Sequence, residues 1–149
     1  MRSLVLLMTL LMAASGASAA DSDVTAQVTC QAIYYNNGST MMSYSTVGNV
    51  ADSSADIFII NPQVANTTVE IQIMQDPLTS QLSGSAVVGQ TQEVAEGESS
   101  QSLVYSNTTE ADSAPSSGSV LDFGMLHLNQ VVTTENGPVT DISTSCVVN

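Results

Sequence analysis

His127 is the one side chain in this sequence whose ordinary pKa lies near neutrality, so acid–base or acyl-transfer chemistry would have to run through it. Around it stand 14 carboxylates, two cysteines and many serines, but Arg2 is the only cationic residue of the Lys/Arg type. A hydrolytic site also needs a nucleophile held against the base, and donors for the developing negative charge. No G-x-S-x-G elbow is present. Alternation along Leu121, Phe123, Met125 and His127 places the imidazole on one face of a strand, where a half-buried structural role is expected. Paired carboxylates of the glycosidase kind are available, yet a chain with no Trp and 4% aromatic residues offers little to stack on a sugar. The sequence reads as non-enzymatic, with no cofactor.

Metal chemistry has two versions. Oxygen ligands for Ca²⁺ cluster at Asp21 and Asp23, at Asp52 and Asp56, between Glu93 and Glu98, and at Glu110 and Asp112. Ca²⁺ needs six to eight converging oxygens, and none of these clusters follows the EF-hand loop. Asp52 with Asp56, and Glu96 with Glu98, are the best-placed pairs, against the ordinary expectation that acidic turn residues are simply solvated. For copper, Met125 and His127 share a strand face and Met41 with Met42 could approach. Soft ligands select Cu(I), but a blue-copper site needs a second His, and Met usually fills cores. No metal is assigned, and a divalent cation is the one small partner left open.

The first residues define the compartment. A basic start at Arg2 precedes the apolar run Leu4–Ala14, and small residues end at Ala17-Ser18-Ala19-Ala20. This is the pattern of a secretory signal peptide, residues 1–20, with residues 21–149 as one mature domain. The apolar run is too short to span a bilayer and no second one follows, so no membrane insertion is expected after cleavage. A mature chain of roughly 130 residues is ample for one core. It is expected outside the cytoplasm: in a periplasm, on a cell surface or in the medium.

Losing Arg2 with the leader leaves all 14 acidic residues without a Lys or Arg partner. Nucleic acid and anionic lipid are disfavoured as partners, since both want cationic side chains. In an oxidising compartment Cys30 and Cys146 are expected to pair within the chain, tying the first strand to the last; subunit-to-subunit pairing is the alternative. A loop of that length contributes about 4–5 kcal/mol in the chain-entropy account. Three Asn-x-Ser/Thr sequons, at Asn37, Asn66 and Asn107, fall in or beside expected turns and are possible N-glycosylation sites.

The element that organises the rest is the pair Asp56–Ile60 and Val69–Met74. Ile57, Phe58, Ile59 and Ile60 form an unbroken apolar run, as in a strand covered on both faces. Val69, Ile71 and Ile73 alternate with Glu70 and Gln72, as in a strand with one face inward. Asn61-Pro62 ends the first of them. Upstream, Val24, Ala26, Val28, Cys30 and Ala32 alternate with polar residues until the Asn36-Asn37-Gly38 turn, and a weaker strand follows over Thr40–Val50. Downstream, strands are expected over Gln81–Val94, Gln101–Tyr105, Val120–Leu128, Val131–Thr134 and Val139–Val148, with Asn107–Ser119 as the longest loop.

About eight short strands with no helical period point to an all-β fold. A single antiparallel β-sandwich, Ig-like in the broad sense, is the first expectation, with a jelly roll or β-barrel as the alternative. The first strand after Asp23, and the last from Ile142 onward, lack the charges that usually guard sheet edges. The resulting expectation is an exported acidic structural or surface protein, a homo-oligomer, fibre or coat subunit joined through strand edges. The competing reading is a monomeric extracellular binding module whose acidic loops hold a ligand or Ca²⁺.

Overall fold

A computed structural model describes residues 24–91, 102–114 and 116–149, with side chains for 25–91, 114 and 116–149. Eight strands follow in order: β1 (Val24–Asn36), β2 (Ser39–Ala51), β3 (Ser54–Ile59), β4 (Thr67–Gln75), β5 (Leu82–Thr91), β6 (Ser102–Ser113), β7 (Val120–Thr134) and β8 (Gly137–Val148). Every ladder is antiparallel, and the order around the sheet is β6-β5-β4-β3-β2-β1-β8-β7. Chain neighbours are thus sheet neighbours except β6 and β7, and β8 returns to β1. The single sheet curls until β6 and β7 lie against each other, so it is nearly closed. The expected all-β antiparallel class holds, and the arrangement is the barrel-like member of the alternatives.

Alternation builds the interior. Val28, Cys30, Ala32 and Tyr34 of β1, Val69, Ile71 and Ile73 of β4, and Ile142, Cys146 and Val148 of β8 point inward and are buried. Opposite walls meet across this core. A Cβ at Gly84 of β5 would stand 3.2 Å from Cζ of Phe123 on β7, so the absent side chain is what admits the ring. Cys30 and Cys146 face each other directly in the β1–β8 ladder and are joined by a disulfide across a sequence separation of 116.

Two places in the wall are weak. β2 and β3 pair only at Ala51 and Ser54, beside the two-residue turn Asp52-Ser53, and then part. β6 and β7 share no ladder among the described residues. A buried side chain bridges the wall near this second opening: Gln90 of β5 donates from Nε2 to the Gln130 carbonyl at 2.9 Å, and its Oε1 accepts the Gln130 N–H at 3.2 Å. The amide of Gln90 therefore substitutes for one residue of a missing strand.

Several expectations are corrected. Ile57 and Ile59 are buried, but Phe58 and Ile60 are exposed, so β3 is covered on one face only. β1 and β8, expected as free edges, are each paired on both sides. β6 runs on to Ser113, so most of the expected long loop is strand, and Asn107 lies within it. β7 is one strand of 15 residues with two register shifts instead of two strands.

Asp52 and Ser53 both have positive φ, 49° and 70°, the mirror-image turn that suits a hairpin's twist but strains any residue with a Cβ. Ser53→Gly is expected to raise stability by about 0.5–1 kcal/mol, the relieved strain being partly offset by the greater freedom of Gly in the unfolded chain. A higher urea midpoint at unchanged slope would check it.

Candidate functional site

β2 carries 13 residues without one charged side chain. On one side it is paired with β1 along its whole length, from Asn36–Ser39 to Val24–Ala51. On the other it is free beyond Ala51, leaving a row of backbone groups between β2 and the diverging β3. Inward positions of β2 stand opposite deeply buried residues of β1: Gly48 by Val28, Thr46 by Cys30, Tyr44 by Ala32, Met42 by Tyr34. Tyr44 is nevertheless 43% exposed, because no strand covers it from the β3 side. The opening reaches the inner face.

Its two ends are closed by different contacts. Near Ala51, Ile57 of β3 leans over Gly48, where a Cβ would lie 2.4 Å from Ile57 Cδ1. At the other end the buried Asn61, just past β3, places Nδ2 3.5 Å from Met42 Sδ and accepts the Gln63 N–H at 2.9 Å. Burial, reinforced by the neighbouring Tyr44 phenol and opposed by the Asn61 side chain, pushes Tyr34 up to about 12. On the outside, Val47 of β2 and Phe58 and Ile60 flank the opening and are more than half exposed. The opening thus combines unpaired main chain, apolar flanks and an exposed edge of β2 without charge.

His127 sits elsewhere, on the outer face of β7. It pairs in register with Asp141 of β8, and its Nδ1 hydrogen-bonds Asp141 Oδ1. Thr140 donates to Asp141 Oδ2 at 2.6 Å. The imidazole is 72% exposed, which corrects the half-buried expectation. The cause is a bulge: the register shifts between Asp122 and Gly124, Gly124 has φ 71°, and the inward series Leu121, Phe123 passes to Leu126. Met125 and His127 are thereby turned outward. Asp141 is the only hydrogen-bond partner of His127 among the described residues, so the imidazole is oriented by a carboxylate and bonds no hydroxyl there.

The other candidates are scattered. Asp52 in the β2–β3 turn and Asp56 on β3 are both exposed, and among the described residues no three His, Cys, Asp or Glu groups come close enough to hold a metal. Glu96 and Glu98 lie outside the described residues. Asn37 and Asn66 are exposed at turns with positive φ, while the side chain of Asn107 is outside those described. A cavity of about 310 Å³, missed in the sequence, lies between β4, β5 and β7; Asn66, Thr67, Gln90, Gln130 and Thr133 line it, without a charge. The opening beside β2 was also missed, since its signal is a strand pairing that stops after one residue pair.

Compared with known proteins, the chain matches no family model, no curated protein and no solved structure.

The Thr140 hydroxyl is the chief cause of the lowered Asp141 pKa, with the His127 bond adding to it and burial opposing. A carboxyl lowered by folding contributes stability above its unfolded pKa of about 3.9, and loses it as pH falls through the folded value. Thr140→Val should therefore raise the Asp141 pKa and start acid unfolding at higher pH. Carboxyl NMR titration with an acid-unfolding curve reads both.

Proposed function

We propose that this is an exported, acidic structural or surface protein without catalytic activity, a subunit that self-associates into a fibre or coat through β-strand edges. The observation that carries this reading is the unpaired edge of β2, free of charge along its whole length and flanked by Val47, Phe58 and Ile60. Natural sheets usually guard such an edge with Lys, Pro or a bulge. Here a strand from another copy would gain main-chain hydrogen bonds from β2 and cover exposed apolar side chains. The chain's negative charge keeps copies apart wherever carboxylates face each other, and the β2 edge avoids that repulsion.

Export is supported by the Cys30–Cys146 disulfide, which belongs to an oxidising compartment, and by the apolar leader-like start. No helix among the described residues is long and apolar enough to cross a membrane.

Light scattering on the chain lacking residues 1–20 tests the reading. Native mass should far exceed one chain and survive reductant, because the disulfide lies within a subunit. Tyr44→Lys puts a charge into the opening and should return the mass to one chain, with an unchanged β-type circular dichroism spectrum. A wild-type particle of one chain's mass at every concentration would overturn the proposal.

A further inference from the structure

The outer face of β2, β1 and β8 sorts its side chains into rows. Val47, Thr29, Val147 and Val120 stand in register across β2, β1, β8 and β7. The three valines are 59%, 40% and 50% exposed, in that order. The next row is Ser45, Gln31, Ser145 and Asp122, and the one after it Ser43, Ile33, Ser143 and Met125, with Met125 also exposed. At the opposite margin Gln27, Asn49, Thr29 and Asn149 bond one another through their side chains. In a chain of formal charge −13, these rows hold one carboxylate, Asp122, at the β7 margin. Asp141, further along β8, is met by His127.

We infer that this face packs against the same face of a second copy, as a lateral contact between subunits. The inference rests on the reading that the chain self-associates, and adds a second surface to the β2 edge. Charge selects the occupant. A cationic partner would seek carboxylates, and the described rows of this face hold only Asp122; a second copy with the same acidity approaches most readily where they are few. The face is self-complementary about a two-fold axis, the valine row of one subunit crossing that of the other. Four strands at about 4.8 Å spacing make a patch too narrow for the ~800 Å² per partner of a stable isolated dimer. The contact therefore acts together with the edge, and assembly should show a concentration threshold.

Gln31→Glu places a carboxylate at the centre of the face, and Gln81→Glu, in the exposed β4–β5 turn, makes the same charge change elsewhere. At low salt Gln31→Glu should raise the assembly threshold at least tenfold over Gln81→Glu, and 1 M NaCl should largely erase the difference. Hydroxyl-radical footprinting of the wild type needs no variant: Val47, Val120 and Met125 should be protected in the assembled protein, while Met74 of β4 and Leu78 of the β4–β5 turn, both exposed away from this face, stay reactive. Equal thresholds for the two Glu variants, or no protection at Val120 and Met125, would overturn the face while leaving the edge standing if Tyr44→Lys still dissolves the particle. A wild-type chain that never assembles would overturn both.

Discussion

The lateral pairing of β1 with β8 is the constraint on which the remaining structure depends. It joins strands from opposite ends of the sequence over eight register pairs, Val28–Val148 to Tyr35–Asp141, and the disulfide holds one of those pairs covalently. With β1 and β8 both saturated, the sheet cannot terminate where the chain does. Its incomplete pairings fall inside the sequence, between β2 and β3 and between β6 and β7. One of these is bridged from within by Gln90, and the other stays open along β2. The ring closure thus decides which main chain is left unpaired.

The second organising fact is the want of cations. A carboxylate without Lys or Arg is stabilised only by water or by N–H and O–H donors, and sheet amides are already engaged in ladders. Two carboxylates, Asp76 and Asp122, take backbone amides at a turn and at a bulge, where the ladders break. Asp76 accepts the Leu78 and Thr79 amides at the β4–β5 turn, and these hold its pKa below the usual range. Asp122 accepts the Gly124 N–H at the bulge. The long regular strands β1, β2 and β5 hold no charged residue at all. The bare edge and the bare outer face are two expressions of one electrostatic sorting.

Much of this architecture was legible in the residues. Alternation located β1, β4 and β8, the Asn37-Gly38 pair marked a hairpin, and the two cysteines marked the closure. What failed did so for identifiable reasons. The run Ile57–Ile60 resembles a strand covered on both sides, but an apolar run carries no period to say which face is wet. His127 was misplaced because a bulge at Gly124 resets the alternation, and a single glycine gives no warning that it will adopt φ 71°. The hairpin turn at Asp52-Ser53 gave no signal, because a tight mirror-image turn usually announces itself with Gly or Asn. The β2 opening depends on how far two strands stay together, which no local pattern encodes.

The position of the disulfide has a mechanical consequence. β1 begins and β8 ends at the same end of the sheet, and only two register pairs, Val28–Val148 and Thr29–Val147, lie between that end and Cys30–Cys146. A tensile load applied across these two strand ends would peel those pairs apart and then meet a covalent link. From there the load passes from backbone to backbone through sulfur, and the hydrogen bonds of the remaining strands carry none of it. A chain wired in this way can be pulled by its ends without unravelling its core.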